Sequence, residues 1–136
     1  MSESATSKGK STAQPPATAH DAEAGAEFVP ATTAGLPPTA QAFFAVINGG
    51  NGTVVRGFGV ASAARLAVGM YQVIFTHDVR GSAYVGTIGL TGSDGQSPAG
   101  EIAVVGRTGV ANGVFVQTFN SAGAFADRSF HLAVLS

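Results

Sequence analysis

From about residue 41 onward the chain is a succession of short apolar runs, cut at close intervals by Gly and Asn. No apolar periodicity there is sustained long enough for a free-standing helix, which removes most helical architectures at once. The runs are built from β-branched and aromatic residues, with 14 Val, eight Phe and both Tyr falling in residues 41–136. Such side chains suit a pleated, half-buried surface. Strands of this type, spaced by turn signals, are the pattern of a sandwich or barrel. They read at about 42–48, 53–60, 65–68, 70–76, 82–90, 101–106, 114–119 and 129–135. The segment 60–68 carries Ala61, Ala63, Ala64 and Leu66, a faint helical hint, but it is too short to stand as a helix alone.

The clearest alternation is at 70–76. Tyr71, Val73 and Phe75 fall on one face, and Met70, Gln72 and Ile74 on the other. Apolar groups on both faces mark a central strand. Gly86 and Gly89 sit inside another run, where glycine signals a bulge or a close backbone approach. The connections are short, so antiparallel pairing is expected rather than a parallel sheet. The expected core is Tyr71, Val73, Phe75, Val114, Val116, Phe130, Leu132 and Val134. The expected fold is all-β, an antiparallel β-sandwich or jelly-roll-like module of seven to eight strands.

Residues 1–40 have a different composition. They hold five of the six prolines, much Ala, Ser and Thr, and only Phe28, Val29 and Leu36 as sizeable apolar groups. Too little apolar surface is present to offset the entropy of ordering this backbone, so it reads as a disordered arm before a domain at 41–136. Phe28-Val29 is the candidate docking pair for an assembly partner, against the plainer reading of a stray apolar pair. In a chain of 136 residues one domain is expected.

Charge is scarce: 11% of residues, against an ordinary share of about 25%, with a formal net charge of -1. Within residues 41–136 there are five arginines (56, 65, 80, 107, 128) and four acidic residues (78, 94, 101, 127), scattered rather than clustered. No basic stripe interleaved with aromatics is present, so no nucleic acid is expected as a partner. No run of about 18 apolar residues exists, so no membrane helix is expected. No apolar segment follows Lys8 and Lys10, so no secretory signal is read, and the expected setting is the cytoplasm or a particle assembled there. The chain has no Cys, which removes disulfides, thiolate metal sites and Cys nucleophiles.

Polar groups that suggest chemistry have plainer readings beside them. His77-Asp78 follows a strong strand, but a metal needs three or four converging ligands and the chain has three His, one of them His20 in the arm. Asp78 reads instead as a turn residue. Ser129, His131 and Asp127 make a triad on paper, without a nucleophile elbow or oxyanion loop. Asp127 and Arg128 read as an exposed pair opening the last strand. Gly57-Phe58-Gly59 and Gly86-Thr87-Ile88-Gly89 lack the lysine and the following helix of a phosphate loop. Asn51-Gly52-Thr53 fits a glycosylation triplet and, more simply, a hairpin turn. No catalytic, metal or cofactor-binding residue is assigned.

Three segments carry a resemblance: Gly69-Met70-Tyr71-Gln72-Val73-Ile74-Phe75, then Ala83-Tyr84-Val85-Gly86-Thr87-Ile88-Gly89, then Gly113-Val114-Phe115-Val116-Gln117-Thr118-Phe119 continuing to Asp127-Arg128-Ser129-Phe130-His131-Leu132-Ala133-Val134. Together they resemble small uncharacterised bacterial β-domains, similar to the C-terminal head modules of tail-fibre-like and collagen-like surface proteins. The resemblance covers about 41–136 and is carried by strands and turns, with no catalytic motif. It implies a non-enzymatic structural or interaction module that assembles with itself, a trimer by analogy with fibre heads. Two alternatives stand beside that reading. One is a lectin-like domain contacting a surface glycan through Tyr84, Asn112 and Asn120. The other is a small enzyme with an unrecognised site.

Overall fold

The computed structural model describes residues 13–19 and 42–136. The latter form eight strands: β1 (Ala42–Ile47), β2 (Val54–Phe58), β3 (Val60–Ala67), β4 (Met70–Phe75), β5 (Ala83–Ile88), β6 (Glu101–Gly106), β7 (Gly113–Phe119) and β8 (Phe130–Leu135). All pairings are antiparallel, in two four-stranded sheets. One has the order β2-β1-β8-β5 and is called sheet A below. The other, sheet B, has the order β3-β4-β7-β6. The expected all-β fold of antiparallel strands is what the structure has.

Local chemistry sets the strand ends. Between β1 and β2, Asn48 accepts from the Gly52 amide at 2.7 Å and donates its own amide to Thr53 O at 2.9 Å, closing the turn. Asn51 Oδ1 accepts from both the amide and the hydroxyl of Thr53, so the Asn51-Gly52-Thr53 triplet is used as a turn. Gly59 sits at φ 76°, a left-handed backbone that side chains resist, and it turns the chain from β2 in sheet A into β3 in sheet B. The sequence pattern runs a strand through this corner to residue 60, leaves 61–64 unassigned and gives a short strand at 65–68. In the structure Val60–Ala67 is a full edge strand, because hydrogen bonding to β4 stabilises a segment whose small side chains give little pattern of their own.

The core lies between the sheets. Phe43, Ala45 and Ile47 from β1, Tyr71, Val73 and Phe75 from β4, Val114 and Val116 from β7, and Phe130, Leu132 and Val134 from β8 form one buried cluster. All eight expected core residues are in it. Tyr71 meets Phe130 edge to face at 5.2 Å, the arrangement the ring quadrupoles favour. Gly86 is a close approach, as its position inside a strand suggested: a Cβ there would stand 3.0 Å from Ile102 Cδ1 in the opposite sheet.

Candidate interaction surfaces

The polar residues singled out in the sequence are mostly occupied within the fold. Asp78 accepts from the Arg80 amide at 2.9 Å and pairs with its guanidinium, an exposed turn. The His77 ring stacks on Phe43 at 4.9 Å. Ser129 Oγ accepts from the Gly49 amide at 2.9 Å, and His131 Nε2 lies 2.9 Å from Leu90 O, so Ser129, His131 and Asp127 each face different partners. Among the described residues no group of three His, Cys, Asp or Glu could hold a metal ion. Phe28 and Val29 lie outside the described residues.

Of the glycan candidates, half-buried Tyr84 donates its hydroxyl to Val79 O at 2.7 Å. Asn112 is buried and donates to Phe75 O at 3.2 Å. Asn120 accepts from the amides of Ala122 and Ala124 in the turn after β7. Asn112 and Asn120 flank opposite ends of β7, about 25 Å apart at strand rise. The structure does not bring these three side chains to one surface.

Asp127 is not an exposed partner of Arg128. Its Oδ2 receives Arg65 Nε at 3.0 Å, and its Oδ1 receives the Gly69 amide at 2.8 Å. The Tyr71 hydroxyl is 3.1 Å from the same Oδ1 and 2.7 Å from Gly49 O, sharing its proton between two acceptors. Arg128 donates from Nε to Ala99 O at 3.1 Å and from Nη1 to the Asp127 backbone carbonyl at 3.2 Å, not to its carboxylate. The cluster ties the β3–β4 turn and the β1–β2 turn to the segment leading into β8. Desolvation alone would raise the Asp127 carboxyl, but hydrogen bonds from Arg65, Gly69 and Tyr71 hold it below its usual range. Burial, then the Asp127 charge and hydrogen bond, push the Tyr71 phenol up to about 12. This is a structural fastening, with its acceptors and donors facing each other.

The outer face of sheet A is different. Register places Phe58, Phe44, Ala133 and Val85 side by side across all four strands. A second row sets Ala42, Leu135 and Ala83 together. Phe44, Leu135 and Val85 are 44%, 46% and 55% exposed. Strands β1, β5 and β8 contain no Asp, Glu, Lys or Arg, and β2 contributes only Arg56. A shallow depression of about 240 Å³ lies on this face between Phe44, Val85 and His131. Exposed apolar stripes of this kind are the class of surface on which protein contacts are commonly built.

Sheet B carries apolar and polar groups on its outer face too, but there the chain covers itself. Residues 13–19 lie against the β6–β7 end. Gln14 Nε2 donates to Gly106 O at 2.9 Å, and Gln14 Oε1 accepts from the Thr108 amide at 2.8 Å. Arg107 Nη1 donates to Pro15 O at 2.6 Å and to Gln14 Oε1 at 3.1 Å, while its Nε donates to Gln72 at 2.7 Å. The guanidinium carbon stands 5.9 Å from the Phe115 ring centre. Arg107 is only 4% exposed. Between this strap and the sheet is a groove of about 670 Å³, with Met70, Val105, Phe115 and Phe125 on the sheet side. β4 is apolar on both faces, and nothing local in the sequence points to residues 13–19 as cover for the second. Gln14 lies 92 to 94 residues from its partners, so no local pattern could connect them.

Among the described residues no helix is long and apolar enough to cross a membrane. No family model matches the chain, and neither a curated protein nor a solved structure aligns with it.

Proposed function

We propose that the protein is a non-enzymatic, self-assembling β-sandwich, a head or scaffold piece of a larger bacterial or phage-like assembly. The observation that carries this reading is the exposed ladder Phe58, Phe44, Ala133 and Val85 on a sheet with one charged residue. Full burial of a large apolar side chain is worth about 1.5–3 kcal/mol, and Phe44, Phe58 and Val85, each about half exposed, forgo roughly half of that. A like face on a second copy is apolar and similarly pleated, and its one charge, Arg56, lies on edge strand β2 with its guanidinium donating to Thr91 O, so two such faces cover each other without stranding an unpaired ion. The pairing also shields the sheet from open-ended association. One patch meeting its own kind closes a two-fold dimer, whereas a trimer, the order that the fibre-head resemblance implies, joins the face of each copy to a different surface of the next. The polar groups weighed for catalysis or a sugar are engaged in turns and fastenings, which favours assembly over the enzyme and lectin readings.

Light scattering coupled to size exclusion on the full chain tests this. A mass that is a multiple of 13.5 kDa at micromolar concentration supports the reading. A one-chain mass, unchanged on dilution, overturns it.

A further inference from the structure

We propose that association through the outer face of sheet A is released by acid, with His131 as the group that takes up the proton, a regulation that rests on the self-assembly reading of that face.

Register sets Arg56, Val46, His131 and Thr87 in a row across the four strands, directly beside the row of Phe58, Phe44, Ala133 and Val85. Phe130 and Leu132 point into the core, so His131 between them points outward. It is half-buried and lines the same depression as Phe44 and Val85. A surface that covers those two side chains therefore covers the ring as well, whichever way the assembly closes.

The surroundings of the ring hold no counter-charge. From β1 it meets Phe44 and Val46, and from β5 Val85 and Thr87. Beyond β5, a Cβ at Gly89 would stand 3.2 Å from the ring, and Leu90 O lies 2.9 Å from Nε2. Strands β1, β2, β5 and β8 contain no Asp or Glu. The charged group in the row is Arg56, on the far side of Val46, with its guanidinium on Thr91 O. A neutral ring with its proton on Nε2 donates to Leu90 O and needs nothing more. Protonation adds an N–H at Nδ1 and a positive charge. In the free chain water solvates both; under an apolar cover they lose that water.

The sign follows from linkage. The associated state holds fewer protons on His131 than the free chain, so association weakens as pH falls. Imidazole is the side chain whose charge changes between about pH 5 and 8, whereas free carboxylates titrate near 4 and arginine stays charged. A contact that favours the neutral ring about tenfold weakens association about tenfold per buried ring in acid, and roughly a hundredfold for two copies that bury one ring each.

Sedimentation equilibrium of the full chain at about pH 8 and about pH 5.5 tests this, with circular dichroism to follow the fold. The expected result is a multiple of 13.5 kDa at the higher pH and a shift toward 13.5 kDa, still folded, at the lower. In His131→Gln, which keeps a donor for Leu90 O and takes up no proton, the dissociation constant should no longer depend on pH over this range. His131→Phe is the second variant without a titrating ring. A one-chain wild-type mass at the higher pH overturns the self-assembly reading and the switch with it. An oligomeric mass that is unchanged in acid overturns the switch alone. Acid dissociation retained by an assembled variant, or accompanied by unfolding, also overturns it. So does loss of assembly in both variants at the higher pH, because the ring is then needed for its bond and not for its charge.

Discussion

Tyr71→Phe removes one oxygen atom from the best-fastened point of the fold. The ring is fully buried and packs edge to face on Phe130, and phenylalanine keeps that packing, so no cavity forms. What is lost is the hydroxyl that donates to Gly49 O at 2.7 Å and faces Asp127 at 3.1 Å. A buried carbonyl left without its donor costs about 1–3 kcal/mol. In a domain of this size each kcal/mol lowers the midpoint of thermal unfolding by about 4–8 °C. Urea unfolding should show a lower midpoint with an unchanged slope, because the surface exposed on unfolding is the same. The pH dependence gives a second reading. The phenol is pushed up to about 12 in the fold and titrates near 10 when unfolded, so the folded state holds its proton more tightly. That stabilisation is complete below about pH 10 and is lost as pH rises through about 12. The variant should lose this share of the alkaline destabilisation and keep the share from Tyr84, whose phenol burial also raises. A stability loss below about 0.5 kcal/mol, the range of ordinary surface changes, would refute the fastening role.

Phe130→Ala, at a fully buried position, should cost about 3–5 kcal/mol in the same unfolding assay, a large part of the roughly 5–15 kcal/mol a domain has. On the acid side, the Asp127 carboxyl is held low in the fold, so its contribution is present above the unfolded value near 4 and is lost as pH falls through the folded one. Asp127→Asn should flatten that part of the stability profile, read by urea midpoints across pH. Gln14→Ala should speed hydrogen exchange at the Thr108 amide, which loses its acceptor, and leave amides in β8 unchanged.

Fold and sites were unequally legible. The core was readable because Tyr71, Val73 and Phe75, like Phe130, Leu132 and Val134, alternate with period two, and a strand obliges alternate residues to share a face. The middle of β3, residues 61–64, was hidden because its alanines fit strand and helix patterns alike, and its state is decided by pairing with β4. The Asp127 fastening was hidden for another reason: Arg65 and Tyr71 lie 62 and 56 residues away, and side-chain pairs across a fold leave no local signature. The apolar row on sheet A was half visible. Phe44 and Val85 read as ordinary strand residues, and only the register across β2, β1, β8 and β5 shows them lined up on the outward face. Apolar groups on both faces of β4 read as the mark of a central strand, and the structure puts the chain's own residues 13–19 at one end of the face turned from the core.

The claim that the outer face of sheet A is a self-association surface is tested most directly by sedimentation equilibrium of the wild-type chain beside a Phe44→Lys, Val85→Lys variant. Both side chains are exposed, so the fold should tolerate the change, and circular dichroism checks that it does. Two lysines on facing copies would repel and strand charge in an apolar contact. The account predicts a wild-type mass that is a multiple of 13.5 kDa and a folded variant at 13.5 kDa. A folded variant with the same oligomeric mass as the wild type would contradict it.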